Sequence, residues 1–136
     1  ADDFEALLLA GRNDPDAAIQ ELHERGVQNL IIKRGHHSLI FSDGTKCWVQ
    51  RIPTAPFAKD AGAVECLTAW AGIALANSGD LAYATYIGAQ AMAFSFSRHG
   101  AEDSMPYASE LSLDPSSPTF PQSYSGTYLA ASSGID

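Results

Sequence analysis

An amphipathic helix that leads directly into a short β-branched run is the feature that most constrains the fold. Asn13 or Asp14 can cap this helix, and Pro15 suits its first turn. Gly26 suits the left-handed residue just past its end. The run at residues 27–33 (V-Q-N-L-I-I-K) then predicts a strand buried on both faces. Together these elements predict one αβ half of a parallel unit and place the chain in the α/β class.

A β-hairpin is predicted next, because Asp43-Gly44 lies between two runs of strand-forming residues at 38–42 and 45–51. Asp-Gly favours tight hairpin turns, since glycine adopts positive φ without steric cost. The predicted sheet is therefore parallel, with an added antiparallel hairpin.

Three further helices are predicted from apolar composition and flanking turn residues. A short helix at 2–10 is ended by Gly11. Two Ala-rich segments, at 61–77 and 81–97, follow a connection that contains two prolines. A short turn joins them, and Asp80 caps the second helix. We expect the helices to pack on the sheet, which gives a layered α/β fold.

Composition and charge narrow the functional classes. We predict one domain over residues 1–113 and an irregular Pro-, Ser- and Tyr-rich tail over 114–136. The formal net charge of -8 disfavours nucleic acid as a partner. The most apolar stretch, 67–76, is too short to cross a bilayer, so we expect a cytoplasmic protein with no membrane partner. Cys47 and Cys66 match no C-x-x-C pattern and are predicted to be reduced and structural.

Four motifs in a fixed order resemble the C-terminal, nucleotide-binding half of ribokinase-type (PfkB) sugar kinases, in particular the 2-keto-3-deoxygluconate kinase and fructokinase branches. They are D-D-F-E at 2–5, K-R-G-H-H-S at 33–38, K-D-A-G-A-V-E at 59–65 and R-H-G-A-E-D-S-M-P at 98–106. Each motif is short, so their order carries the resemblance. It implies a truncated ribokinase-like layered fold over residues 2–111.

The first motif falls where the family has Asn-x-x-Glu, which organises Mg²⁺ and phosphate through water. The resemblance implies that Asp2 and Glu5 are metal-site residues, since two carboxylates one turn apart suit a hydrated hard cation. Read from the residues alone, the same acids favour the N terminus of a helix. Asp2 in place of the family Asn makes the match partial.

The second motif resembles the K-R-G-x-x-G segment that lines the family's nucleotide pocket, which implies ligand contacts at Lys33, Gly35 and Ser38. Gly35 would let the backbone approach a ligand closely. Ser38 replaces the second glycine and makes the loop less permissive. The adjacent His36-His37 predicts a polar loop and not a metal site, because neighbouring residues on a strand face opposite ways.

The third motif aligns with the family's Asp-Thr-Thr-Gly-Ala-Gly-Asp, whose backbone N–H groups hold the developing phosphoryl charge and whose last Asp takes the sugar proton. Gly62 and Ala63 keep the turn, and Val64 replaces the second glycine. Val64 is strained if that position needs positive φ, and a helical backbone there is expected to lose the anion hole. Glu65 stands at the catalytic base, with its basic oxygen displaced by about 1 Å, which can cost roughly 10²-fold in rate.

Three more positions follow from the resemblance. Gly100 of the fourth motif suits a tight turn near the adenine of the nucleotide. The family's Asn near the base falls on Ala89, so we expect a weakened adenine contact. Lys59 falls beside the family's monovalent-cation site, where its ammonium either replaces the cation or is a solvated surface group.

The altered motifs predict a degenerate sugar-kinase-like domain that is not active alone and serves as an oligomeric binding or interaction module. A second copy or another chain is expected to cover an exposed apolar sheet edge, unless the aromatic residues of the tail do so. Two alternatives stay open. One is an ATP-dependent carbohydrate kinase that acts on a sugar with a partner chain, and the other is a nucleotide-binding sensor without transfer. ATP with Mg²⁺ is the implied cofactor of both alternatives, and the interaction module needs none.

Overall fold

A computed structural model describes residues 1–53 and 61–111. Helices α1 and α2, strands β1, β2 and β3, helices α3 and α4 and a short 3-10 turn follow one another in the chain. They span, in this order, Asp3–Ala10, Pro15–Glu24, Leu30–Arg34, Ser38–Ser42, Cys47–Arg51, Ala63–Ser78, Leu81–Phe96 and Ala108–Glu110. The chain passes from one compact unit into a second between Val49 and Gln50. Within the two described stretches, no helix has the length and apolar composition needed to cross a membrane.

The first two helices begin and end at the residues that the sequence indicated. Asp14, and not Asn13, caps α2 by accepting a hydrogen bond of 2.9 Å from a backbone N–H in its first turn. Pro15 opens that helix, as predicted. Gly11 follows α1 with φ of 65°, and Gly26 follows α2 with φ of 98°. Local capping chemistry therefore determines where both helices stop.

The pairing of β1 differs from the prediction. The sheet has the order β1-β2-β3, and β1 runs antiparallel to β2 with Arg34 opposite Ser38. A three-residue turn connects the two strands, and Gly35 at φ of 56° makes it possible. The prediction that this strand belongs to a parallel sheet is therefore wrong for its pairing with β2. Parallel pairing occurs in the described residues as an isolated bridge between Asp2 and Lys33, on the other side of β1.

The hairpin of β2 and β3 is confirmed, and the Asp43 side chain organises its turn. One Asp43 carboxylate oxygen accepts from the Thr45 hydroxyl at 2.7 Å and from the N–H groups of Thr45 and Lys46 at 2.8 and 2.9 Å. Partial burial raises the pKa of Asp43, but these hydrogen bonds outweigh burial and hold the pKa below its ordinary value. The ionised carboxylate thus belongs to the folded turn.

The core of the first unit lies between the sheet and the helices α1 and α2, as predicted for helices packed on a sheet. Alternate residues of β1 point toward these helices, because successive side chains of a strand face opposite ways. The buried members of the cluster are Ala6, Ala10, Ala18, Ile19, Leu22, Leu30, Ile32 and Ile40. Phe41 stacks on Trp48 with ring centroids 5.1 Å apart and adds an aromatic contact between β2 and β3.

The second unit is built on the packed pair α3 and α4. Gly79, at φ of 68°, ends α3, and Asp80 caps α4 by accepting from the N–H of Tyr83 at 3.0 Å, as predicted. The two helices are in close contact at Gly88. A Cβ built on Gly88 would lie 2.6 Å from a Leu67 side-chain carbon and 3.0 Å from the Leu67 carbonyl oxygen. The absence of a side chain at Gly88 thus allows this close packing.

Candidate functional site

The N terminus of α3 carries the motif that the sequence marked as a phosphoryl-binding turn. Gly62 is the N-cap, with φ of 83° and ψ of -8°, and no side chain caps this helix end. The first bond of the helix runs from the Cys66 N–H to the Gly62 carbonyl at 2.9 Å. The N–H groups of residues 63–65 precede that bond and have no partner within the helix. Together with the positive end of the helix dipole, they form a site suited to an anion.

Val64 lies inside α3 with a helical backbone. In the described residues, positive φ occurs at glycines alone, so the strain considered for Val64 is not present. The left-handed residue of the turn is Gly62, two positions earlier. A helical Val64 therefore adds its N–H to the free donors at the helix end. The expectation that this geometry removes the anion hole does not follow from the backbone, and occupancy by an anion stays a prediction.

Exposure varies along this turn. Gly62 and Ala63 are buried, Val64 is half-buried and Glu65 is exposed. A ligand would therefore approach from the side of Val64 and Glu65. The Glu65 carboxylate lies in the first turn of α3, where the helix dipole favours a negative charge. It is accessible as a base, and it is also a charge that an incoming phosphate must meet.

The structure brings the third and fourth motifs together. Gly100 adopts φ of 90°, and the next residue, Ala101, turns its backbone against Gly62. A Cβ on Gly62 would lie 2.8 Å from the Ala101 carbonyl oxygen and 3.0 Å from its Cα. Real Cβ contacts are not found at such distances, so Gly62 is required both by its φ and by this approach. The two motifs thus form one local structure within the second unit.

A pair of buried hydroxyl groups supports the Ala101 carbonyl. Ser104 donates to the Ala101 oxygen at 2.8 Å, and the Ser95 and Ser104 oxygens are 2.8 Å apart. Sequence reasoning included Ser104 in the fourth motif without a role and did not consider Ser95. The sequence offers no signal for this pair, because serines are most often exposed and these two are nine residues apart.

Both cysteines are free, as predicted, and they differ in environment. Cys66 is buried beside Ser95 in the second unit, whereas Cys47 in β3 is half-buried. Burial raises the pKa of the Cys66 thiol, and the nearby Glu65 carboxylate adds to this, although a hydrogen bond with Ser95 acts in the opposite direction. The Cys66 thiolate is therefore scarce at neutral pH.

This difference predicts selective alkylation. With iodoacetamide at pH 8, we expect Cys47 to be labelled first and Cys66 at least about tenfold more slowly, since the thiolate is the reactive form and burial limits access. Because the pKa of Cys66 is raised, its labelling rate should continue to increase at pH values above the ordinary pKa of a thiol. Peptide mass spectrometry over a time course measures both rates, and labelling in urea provides the control in which they converge. Equal rates in the folded protein would contradict the burial of Cys66.

Asp2 and Glu5 form a capping box at the start of α1. The Asp2 carboxylate accepts from the Glu5 N–H at 2.8 Å, and the Glu5 carboxylate accepts from the Asp2 N–H at 2.9 Å. The helix N-terminal interpretation of these acids is therefore confirmed. Their role at a metal stays a prediction, and residues 1–53 and 61–111 hold no cluster of three or more potential metal-ligating side chains.

The second motif forms the β1–β2 connection. Lys33 lies in β1, Gly35 opens the turn, and Ser38 begins β2 with its buried hydroxyl 3.5 Å from the Arg34 carbonyl oxygen. These positions serve the hairpin, and their contact with a nucleotide stays a prediction. Lys59 and the tail aromatics, namely Phe120, Tyr124 and Tyr128 with the neighbouring Leu129, lie outside the described residues.

Comparison by sequence finds no matching family model and no matching curated protein. Comparison by structure does find similar proteins. A ribokinase from Thermotoga maritima matches with a TM-score of 0.74 and 22% identity, over 80% of this chain and 38% of its own. Arabidopsis thaliana ribokinase complexed with ribose and ATP matches with a TM-score of 0.69 and 24% identity, over 77% of this chain and 36% of its own. Ribokinase II of E. coli in complex with ATP and Mg²⁺ matches with a TM-score of 0.72 and 21% identity, over 77% of this chain and 34% of its own.

These similarities show that the chain has a ribokinase-like α/β fold, in agreement with the resemblance inferred from the four motifs. The chain spans between 34% and 38% of the length of these three proteins. At such identities the likeness concerns the fold, and function must be argued from the site.

Proposed function

We propose that the chain is a degenerate ribokinase-like binding domain that holds the phosphate groups of a nucleotide at the N terminus of α3 and does not transfer them alone. The observation that carries this proposal is the left-handed Gly62 N-cap, which leaves the first N–H groups of α3 without a side-chain cap. Two of the similar structures contain ATP, one of them with Mg²⁺ and the other with ribose, and they suggest ATP with Mg²⁺ as the ligand. Residues 62–64 would hold the phosphates.

Glu65 is the reason to propose binding without transfer. It occupies the third position of α3, and its side chain is exposed to solvent. General-base catalysis requires the base within hydrogen-bond reach of the proton that it removes. The Glu65 side chain is one methylene longer than the aspartate expected there, and it brings a negative charge to the helix end that would receive the phosphates. We propose that Glu65 limits phosphate affinity.

Charge removal tests this role. The variant Glu65→Gln is expected to bind Mg-ATP about threefold more tightly by calorimetry, because a full charge near a helix N terminus is worth about 0.3–1 kcal/mol. Glu24→Gln, which removes an exposed carboxylate from α2, is the matched control for net charge and should leave the affinity unchanged. Unchanged or weaker binding by Glu65→Gln, with tight binding by the parent chain, would contradict the proposal.

The second candidate function is phosphoryl transfer to a sugar with a partner chain, with Glu65 as base. The exposed position of its carboxylate favours this candidate, since a sugar hydroxyl could reach it. Sugar-dependent release of ADP, measured for a panel of hexoses and sugar acids and lost in Glu65→Gln, would establish it. ATP binding without any sugar-dependent release would support the binding domain.

An assembly role has its own observation, an apolar face on α1. Phe4 and Leu8 lie one turn apart and are 72% and 70% exposed, and the adjacent Leu9 is 61% exposed. Clustered apolar side chains of this kind are typical of interaction surfaces. We propose that a second copy of the chain binds this face. Light scattering should show a smaller assembly for Leu8→Lys than for the parent chain. It should show no change for Ile73→Lys, which alters an exposed apolar residue on α3. Equal masses for the parent chain and both variants would contradict association through the α1 face.

A further inference from the structure

Two serine hydroxyls are buried together beside the candidate anion site. Ser95 lies in the last turn of α4 and Ser104 in the loop that follows, with exposed fractions of 1% and 0%. Their oxygens are 2.8 Å apart. A buried hydroxyl costs free energy unless it is hydrogen-bonded, so this pair must be satisfied within the protein.

The direction of the hydrogen bonds follows from the available protons. Ser104 gives its single proton to the Ala101 carbonyl at 2.8 Å, so it can only accept from Ser95. The result is a directed chain in which Ser95 donates to Ser104 and Ser104 donates to the Ala101 carbonyl, with each proton used once.

This chain ends at the N terminus of α3. Cys66 belongs to α3, and its N–H makes the first bond of the helix, to the Gly62 carbonyl at 2.9 Å. The Ala101 carbonyl oxygen lies where a side chain on Gly62 would be, 2.8 Å from the position of that Cβ. The hydroxyl pair thus holds the 100–104 loop against the turn proposed to bind phosphate.

The charge on the Ala101 oxygen gives this contact a consequence for binding. A carbonyl oxygen carries partial negative charge and disfavours a nearby anion, unless a donor binds it. Ser104 supplies that donor, and its own bond from Ser95 strengthens the donation, because hydrogen bonds in a chain polarise one another. Without the Ser104 donor, the Ala101 carbonyl would present its uncompensated partial charge to the Gly62 turn.

We infer that Ser95 and Ser104 are positioning residues for an anion at the N terminus of α3, and that they act by holding the Ala101 carbonyl against Gly62. The inference rests on the proposed function. It goes further by assigning two residues outside the turn to the affinity of the site. Neither residue needs to touch the ligand.

The test compares affinities for Mg-ATP by calorimetry in the purified full chain. Ser104→Ala should weaken binding about fivefold, the value of one neutral hydrogen bond. Ser95→Ala should weaken it less, and the double variant should equal Ser104→Ala, because both act through one carbonyl. Ser97→Ala is the matched control: its hydroxyl donates to the Phe94 carbonyl at 2.6 Å on the exposed end of α4, and its loss should not alter affinity.

A milder variant keeps the test decisive. If Ser104→Ala does not fold, Ser104→Cys retains the shape and a weaker donor. Its affinity should be lower than that of the parent chain, and an affinity equal to the parent's would contradict a donor role for Ser104. Amide chemical shifts of Val64 and Glu65 in the saturated complexes should move in Ser104→Ala and not in Ser97→Ala, which a merely structural role would not produce.

The outcomes separate the two claims. If the parent chain binds Mg-ATP and both Ser104→Ala and Ser95→Ala bind it with the parent's affinity, the positioning role is overturned. The phosphate site itself would still stand. No binding of Mg-ATP by the parent chain would overturn both.

Discussion

Replacing Gly62 by alanine is expected to lower the free energy of unfolding by about 3 kcal/mol, as the sum of two costs. An L-residue in the left-handed region costs about 1–2 kcal/mol, and Gly62 has φ of 83°. Overpacking adds about 1–3 kcal/mol, because the new Cβ would lie 2.8 Å from the Ala101 carbonyl oxygen, a backbone atom that cannot rotate away. Urea denaturation followed by circular dichroism measures the change.

Gly79→Ala is the matched control for this prediction. Gly79 also has positive φ, at 68°, but a Cβ there would meet nothing within 4 Å. Its cost should therefore be the backbone term alone, about 1 kcal/mol. The difference between the two variants isolates the contact of Gly62 with Ala101, and equal losses would show that this contact carries no strain.

The same substitution should also remove the anion site. Displacement of the turn by a few tenths of an ångström misaligns the first N–H groups of α3, and each hydrogen bond to a charged group is worth about 1.5–3 kcal/mol. We therefore expect Gly62→Ala to bind Mg-ATP more than about tenfold more weakly at a temperature where it is folded. Gly79→Ala should bind like the parent chain.

Gly88→Ala is expected to destabilise the second unit by about 1–2 kcal/mol, although alanine is the better helix former by about 1 kcal/mol. The reason is steric, since the new Cβ would lie 3.0 Å from the Leu67 carbonyl oxygen and 2.6 Å from a Leu67 side-chain carbon. The two helices must separate or shift to accept it. Thermal and urea unfolding report the loss.

Gly72→Ala in α3 provides the opposite result. A Cβ at Gly72 would meet nothing within 4 Å, and the residue is exposed. Helix propensity alone then acts, and we expect a gain of about 0.5–1 kcal/mol. Changes of opposite sign at these two helical glycines are the expected outcome. A gain at both would show that α3 and α4 are packed less closely than the contact at Gly88 indicates.

Features set by neighbouring residues could be predicted from the sequence. Asp14 with Pro15 starts α2, Asp80 starts α4, and Asp43-Gly44 turns the chain from β2 into β3. In each case the side chain or the glycine satisfies backbone groups a few residues away, so the signal and the structure are local. The same holds for Asp2 and Glu5, whose acidic side chains favour the N terminus of a helix and form the capping box of α1.

The antiparallel partner of β1 is not among the predictions, because the resemblance assigns the Gly35 loop to a nucleotide pocket. Gly35 was interpreted as a backbone position that a nucleotide approaches. The structure uses it as the first residue of a three-residue turn between two five-residue strands. A glycine-containing loop of three to five residues between apolar runs is itself a hairpin signal. That signal was present in the sequence and was outweighed by the resemblance.

The residues of the site could be predicted from the motifs, but their arrangement in space could not. The order of the motifs pointed to the Gly62 turn, and the structure confirms that it begins a helix. Sequence alone did not show that Gly62, and not Val64, is the left-handed residue, since this depends on where the helix starts. The contact with Ala101 and the hydroxyls of Ser95 and Ser104 depend on tertiary packing, which local patterns do not encode.

The most direct test of a phosphate site at the N terminus of α3 is an NMR titration of the ¹⁵N-labelled chain with Mg-ATP. We expect the largest amide shifts at Ala63, Val64 and Glu65, whose N–H groups have no partner within the helix. Inorganic phosphate at higher concentration should perturb the same amides. Shifts confined to other regions, such as the Gly35 turn, or no shifts at millimolar nucleotide, would contradict the central claim.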